Sequence, residues 1–254
     1  MSSNSDIITA AVLVIGDEIL SGRTKDKNIG YIADYLTAIG IDLKEVRVVA
    51  DDAAAIVDAL NVLRAKYTYV FTTGGIGPTH DDITADCVAE AFGVALEFHS
   101  EAIAILKERL AKTGGELNEA RLRMARIPKG AALVANKVSG APGFWIGNVI
   151  TMAGIPAVMQ GMLDEVAPKL KTGTRLLSET IRADAKEGDV GTELGVIAKA
   201  HPSTIIGSYP FIDEKNGPNT NIVVRSRDAG ELAVVKAEVE GMLKKVKAQL
   251  PQAR

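Results

Sequence analysis

Apolar positions follow two alternating rhythms as far as Leu170. Ile7 to Ile15 is an apolar run broken only by Thr9 and closed by Gly16. A run of that length predicts a buried strand. Over Asp26 to Ile39 the period changes. Ile29, Ile32, Ala33, Leu36 and Ile39 fall three or four apart, the spacing of one helical face, and Gly40 supplies the stop. Leu43 to Val49 predicts a second strand. Ala53 to Lys66 predicts a second helix with Ile56, Leu60 and Leu63 on one side. Tyr69 to Thr73 predicts a short buried strand that runs into Gly74-Gly75-Ile76-Gly77-Pro78, and Thr84 to Phe92 a helix beyond it.

Strands alternating with helices predict an α/β fold with a parallel sheet covered on both faces. Ser100 to Lys112 and Leu117 to Arg126 read as further helices. Phe144 to Thr151 reads as a hairpin turning at Gly147-Asn148, and Pro156 to Leu170 as a helix with proline in its first turn. The pattern changes after Lys171 to Thr174. Leu176 to Arg182, Ile205 to Tyr209 and Asn221 to Ser226 predict strands; Asp189 to Ala200 and Glu231 to Leu250 predict helices. The expected organisation is a first domain over 1–172 and a small α+β domain over 173–254. The lysines Lys244, Lys245 and Lys247 read as the solvated face of the last helix.

Composition narrows the function. The chain has 254 residues, with 47% hydrophobic and 24% charged, as in a globular protein with a core of its own. Aromatics are 4% and the net charge is -3, which argues against a nucleic-acid footprint. A single cysteine, Cys87, excludes an intrachain disulfide framework and a zinc ribbon. No apolar run is long enough to span a membrane. Met1 to Asp6 is polar and has neither the basic start nor the apolar stretch of a signal peptide, so the expected compartment is the cytoplasm.

The richest stretch is Thr72 to Thr84, which follows a buried strand and opens a helix. Gly74, Gly75 and Gly77 let backbone N–H groups approach an anion closely, and the helix N-terminus adds a favourable dipole. The plainer reading is a tight turn capped by Asp82 or Thr84; the strand-end position favours the ligand site. The loop has neither the lysine of a nucleotide P-loop nor the dinucleotide fingerprint. Asp17 and Glu18 end the first strand and Asp51 follows the second. If these strands are neighbours, Asp17, Glu18, Asp51 and Asp82 converge at one sheet edge, suited to a hard cation on a phosphate ester. Ser139 to Gly143 and Ala153-Gly154-Ile155-Pro156 are candidates for further glycine walls. His80 reads as an exposed loop residue, His99 and His201 as structural or solvated, Cys87 as core, and Trp145 as packed on the hairpin.

Gly16 to Gly22, Asp26 to Asn28, Val48 to Asp52 and Thr73 to Thr84 together resemble the molybdopterin-binding-domain family. The likeness is to the competence/damage-inducible protein A branch and to the N-terminal domain of eukaryotic FAD synthase. Glu187-Gly188-Asp189 and Ile206 to Pro210 resemble the small second domain of that branch. The resemblance implies a three-layer αβα sandwich with the ligand at the strand ends. It implies that Gly74, Gly75, Gly77 and Thr79 form the phosphate loop, flanked by Thr73, Asp17, Glu18, Ser21, Gly154 and Pro156. Asp82 and Asp51 match the aspartates used around Mg²⁺ and the pterin phosphate. It implies a divalent metal (Mg, Mn or Co), a small phosphate-containing ligand and a homo-oligomer. Two activities follow as expectations: a metal-dependent pyrophosphatase on an ADP-ribose- or FAD-like substrate, or a molybdopterin-binding protein without hydrolysis. Where the competence proteins read Pro-Gly-Pro-Pro this chain has Ala153-Gly154-Ile155-Pro156, and no stretch of it resembles their C-terminal amidase.

Overall fold

The computed structural model describes residues 7–215 and 217–249. The expectations for Met1 to Asp6 and for Leu250 fall outside those residues. The chain forms two compact units, Met1–Gly173 and Thr174–Arg254.

In the first unit the order is β1 (Ile8–Ile15), α1 (Asp17–Leu20), α2 (Asn28–Ala38), β2 (Ile41–Val49), α3 (Ala53–Lys66), β3 (Tyr69–Thr73) and α4 (Thr84–Phe92). Then come β4 (Leu96–Phe98), α5 (Ser100–Thr113), α6 (Glu119–Leu122), β5 (Arg126–Pro128), β6 (Ala132–Val134), β7 (Gly143–Ile146), β8 (Val149–Met152) and α7 (Pro156–Val166). The main sheet runs β2-β1-β3-β8-β7-β6. Its first four strands are parallel; β7 and β6 are antiparallel to their neighbours.

The two-residue strand period explains the unbroken apolar runs. Ala11, Leu13 and Ile15 of β1 pack with Ile56, Leu60 and Leu63 of α3, Val88 of α4 and Leu106 of α5. Ala10, Val12 and Val14 pack on the other face with Ile32 and Leu36 of α2 and Met159 and Leu163 of α7. Both faces are therefore buried, and both must be apolar. Each fully buried leucine there contributes about 1.5–3 kcal/mol. Helix ends follow local chemistry. The Asp52 side chain accepts from Ala55 N–H at 2.9 Å to cap α3. Gly93 closes α4 in the left-handed region at φ 64°.

Two stretches differ from expectation. Leu117 to Arg126 is helical for only one turn, α6, capped by the Asn118 side chain at 2.9 Å from Arg121 N–H. A 3₁₀ turn, Arg123–Ala125, then leads into β5, which pairs with β4. Helix α7 stops at Val166 and tightens into a 3₁₀ turn over Ala167–Lys169, because Pro168 has no N–H for the helical ladder.

The second unit holds β9 (Leu177–Arg182), α8 (Glu187–Ala200), β10 (Ile205–Asp213), β11 (Gly217–Ser226) and α9 (Ala229–Gln249). Its antiparallel sheet has the order β10-β11-β9. Ile222 and Val224 of β11 pack against Val190 and Leu194 of α8 and Val235 and Val239 of α9. Burial alternates along β11, as expected of a sheet covered on one face. Among the described residues, no helix is long and apolar enough to cross a membrane.

Candidate functional site

Parallel pairing brings the C-terminal ends of β2, β1 and β3 to one edge. There the chain leaves β1 at Gly16, whose N–H still donates to Val49 O at 3.1 Å. It leaves β3 at Gly74, whose N–H donates to Met152 O at 3.2 Å. Gly74 has φ 103°, and a Cβ there would lie 2.1 Å from Ile15 O. Gly75 has φ 64°, and its Cβ would lie 2.2 Å from Thr84 Oγ1. Only glycine fits either position. The buried Thr84 explains the closeness: its hydroxyl donates to Gly74 O and its N–H to Gly75 O, both at 3.0 Å. The loop is thus tied back onto the start of α4. Gly154 meets it from the other side, where an added Cβ would stand 3.3 Å from Gly74 Cα. Asn28 holds that wall by donating from Nδ2 to Gly154 O at 2.8 Å.

These walls enclose a cavity of about 480 Å³. Glu18, Thr24, Gly74 to Pro78, Asp82, Met124, Asn136, Ser139, Ala141, Ala153 to Pro156 and Val158 line it. The lining holds two carboxylates, Glu18 and Asp82, and neither lysine nor arginine. A cavity of about 530 Å³ in the second unit, between α8 and α9, has no glycine loop and is lined largely by apolar side chains and helix-surface charges.

The structure therefore brings together Glu18, Gly74, Gly75, Gly77, Asp82, Gly154 and Pro156. Thr73 is buried and lines a small chamber beside this cavity. Asp17, Ser21, Asp51 and Thr79 lie outside the cavity lining. Ser21 ends α1, with its N–H on Asp17 O at 2.9 Å. Asp51 accepts from Asp17 N–H at 3.0 Å. Burial first, and then the charges of Asp17, Glu18 and Asp81, push the Asp51 carboxyl above the ordinary aspartate value. Asp82 turns into its own loop, accepting from Thr79 N–H at 2.8 Å and Thr79 Oγ1 at 2.5 Å.

The expected convergence of Asp17, Glu18, Asp51 and Asp82 into a metal centre is not what the side chains make. Among the described residues, no group of three or more His, Cys, Asp or Glu could hold a metal ion. The physical reason is local: Thr79 draws Asp82 one way and the Asp17 amide draws Asp51 another. Glu18 and Asp82 do fit a cation that arrives on a ligand, since Mg²⁺ is commonly held by one or two carboxylates plus substrate phosphate oxygens.

The sequence reading passed over Arg123 and Arg126. Arg123 Nη2 donates to Asp82 O at 3.3 Å behind the loop. Arg126 forks onto Asp86 at 2.9 and 2.8 Å. It also passed over Asn136, whose Oδ1 accepts from Val138 and Ser139 N–H and whose Nδ2 reaches Ala141 O at 2.8 Å, shaping the Ser139 wall. An asparagine two residues before the loop's apex was the available signal. His80 is exposed, at 99% of its side-chain surface. His99 caps α5, and His201 meets Glu238 at 2.7 Å. Cys87 is buried, its thiol pushed up to about 12 mainly by burial.

Comparison with known proteins now decides the family. Residues 11–172 match the model described as a probable molybdopterin binding domain, more than half of the chain. The chain belongs to the molybdopterin-binding-domain family. Residues 175–251 match a second model, the middle domain of FAD synthase. A protein of Caldivirga maquilingensis is 31% identical over 253 residues, covering 96% of this chain and 98% of that one. A CinA-like protein of Citrifermentans bemidjiense is 43% identical over 165 residues, covering 63% of this chain. The match spans 40% of that longer relative. The crystal structure of CinA from Thermoplasma acidophilum, described as of unknown function, is 34% identical with a TM-score of 0.60, over 65% of this chain and 99% of that one. The molybdopterin-binding domain thus carries the glycine cavity, and a FAD synthase-type middle domain follows it.

Proposed function

We propose that this molybdopterin-binding-type cavity takes a nucleotide-like diphosphate together with a divalent cation and hydrolyses its pyrophosphate bond, with ADP-ribose or FAD as the substrate class. One observation carries the reading: the cavity has glycine walls and two carboxylates but no basic side chain. A bare polyanion would be repelled by Glu18 and Asp82, whereas a cation-bound diphosphate is attracted by them. The middle domain of FAD synthase type supports a nucleotide over a simple phosphate.

Glu18 and Asp82 hold and orient the cation, Mg²⁺, Mn²⁺ or Co²⁺. It supplies charge neutralisation and a more acidic bound water when present. Thr79 engages one oxygen of Asp82, which leaves the other to serve the cation. Gly74, Gly75 and Gly77 let the diphosphate lie against backbone. Water adds to one phosphorus and the bridging P–O bond breaks, so ADP-ribose gives AMP and ribose 5-phosphate.

The test incubates the protein with ADP-ribose, FAD or NAD and each cation and follows AMP by chromatography. Wild type should release AMP, and Asp82→Ala should lose at least about 100-fold in rate at unchanged melting temperature. Full turnover by that variant would remove Asp82 from the site. A second reading, favoured because no three His, Cys, Asp or Glu among the described residues could hold a metal ion, is molybdopterin binding without hydrolysis. It is supported if no AMP forms and pterin fluorescence travels with the purified protein.

A further inference from the structure

Several buried side chains have a polar atom without a hydrogen-bond partner. Thr72 and Thr151 are register partners inside the sheet, Thr220 lies in the second unit, and Arg123 and Arg126 sit behind the glycine loop. Two others meet. Asn28 Oδ1 and Thr73 Oγ1 are both unpartnered, on residues 4% and 1% exposed, and both line one chamber of about 50 Å³. That volume holds one or two groups the size of a water or a hydroxyl. The chamber shares Glu18, Thr24, Gly154 and Pro156 with the main cavity, so it opens from the same walls.

The polarity of the pair is defined. Asn28 Nδ2 is engaged by Gly154 O, so Oδ1 is the free atom, and it can only accept. Thr73 Oγ1 can donate or accept. A group that both gives and takes a hydrogen bond satisfies the two at once, which describes an alcohol. An anionic oxygen does not suit Oδ1, and an apolar group leaves both atoms unsatisfied. The rim carries both signs, Glu18 and Asp26 beside two lysines, and so offers the ammonium groups that the main cavity lacks. Lys25 and Lys27 line the chamber, are exposed, and have no ion-pair partner among the described residues. A hydroxyl in the chamber with a phosphate near those ammonium groups is the pattern of a sugar phosphate.

We propose that Asn28 and Thr73 form a hydroxyl-selecting sub-site, so that the cavity takes a sugar phosphate and discriminates against phosphate esters without a hydroxyl. This rests on the reading that the main cavity binds a phosphate ligand. Because the two atoms are buried, seating the hydroxyl needs a small outward shift of the chamber wall, of which Thr24, Lys25 and Lys27 are exposed.

The test is calorimetric titration of the full chain with Mg²⁺ and two probes, ribose 5-phosphate and n-pentyl phosphate. ADP-ribose is titrated in parallel. Wild type should bind the sugar phosphate roughly tenfold more tightly than the pentyl ester. In Thr73→Val, nearly the same shape without the hydroxyl, that ratio should fall by about three- to tenfold. Thr73→Ser, which keeps the hydroxyl, should retain it. An unchanged ratio in Thr73→Val, or equal binding of the two probes to wild type, overturns the sub-site even if ADP-ribose binds. Failure of ADP-ribose and both probes to bind overturns the cavity reading and the sub-site together.

Discussion

Carboxylates in two regions of this molecule are treated in opposite ways. In the second unit, Asp184 sits at φ 48°, a backbone conformation that aspartate tolerates better than most residues. Its carboxylate accepts from Lys247 at 2.9 Å and Arg182 at 2.6 Å, and hydrogen bonding with Lys247 first, then Arg182, lowers it to about 2. Arg182 also reaches Asp213, and Lys236 reaches Glu179. At the strand ends of the first unit, Asp51 receives a backbone N–H, no cation from among the described residues, and the repulsion of three neighbouring carboxylates. The contrast is not one of unit against unit. Glu45, in β2, is held at about 2 by Tyr67, Lys66 and Arg47. Asp184 and Glu45, away from the cavity, are neutralised by cations of this chain. Asp51, at the strand ends, is left for something else to neutralise.

The glycines show the same division, and they give the largest test of it. Gly74→Ala places a side chain in a left-handed position, a cost of roughly 1–3 kcal/mol, and drives it into Ile15 O as well. Gly191 of α8 is an exposed helical glycine with nothing within 4 Å of an added Cβ. Gly191→Ala should therefore stabilise by about 0.5–1 kcal/mol. Chemical denaturation of both variants should move the midpoint in opposite directions. Equal and small shifts would mean the glycine loop is not the close-packed wall described above.

That division was only half legible in the sequence. Ala53–Lys66, Tyr69–Thr73 and Thr84–Phe92 were readable to the residue, because each couples a clear period to a strong stop or start. The strands β4, β5 and β6 have three residues each, too few to show alternation, and the expected helix over Leu117 to Arg126 overran the first residue of β5. In the site, Gly74, Gly75, Gly77 and Asp82 declared themselves by clustering at a strand end. Glu18 did so through its position after β1. The directions of Asp51 and Asp82 could not be read, since each is set by hydrogen bonds from one neighbour. Thr73 was named as a flank of the phosphate loop and Asn28 lay within a resembling motif, but their pairing was hidden for a different reason. Their significance is an unpartnered atom facing a shared chamber, which exists only once β1, β3 and α2 are packed.

A smaller effect sharpens the charge comparison. Asp184→Asn removes the negative charge that Lys247 and Arg182 share and one of the two accepting oxygens. The side chain is 49% exposed, so solvent screening limits the loss to about 1 kcal/mol at neutral pH. Because the folded value is depressed, the wild-type advantage is full above the ordinary aspartate value. It fades as pH falls toward about 2. Melting curves of wild type and variant should converge at the acid end.

Asp51→Asn should do the reverse, and more weakly. Asparagine keeps an oxygen to accept from Asp17 N–H but removes a charge that is partly buried and faces Asp17, Glu18 and Asp81. The folded value of Asp51 is raised, so the native state binds its proton more readily than the unfolded chain does. Wild type therefore loses stability as pH rises from the ordinary aspartate value through the raised one. Above that window the variant should be the more stable protein, by less than about 1 kcal/mol given the partial exposure. Below the ordinary value, where wild-type Asp51 is protonated in both states, the difference should close. A divalent cation with ADP-ribose should stabilise wild type further, because it neutralises the same repulsion. If Asp51→Asn is less stable than wild type at neutral pH, the strand-end carboxylates are structural after all, and the contrast with Asp184 fails at its central residue.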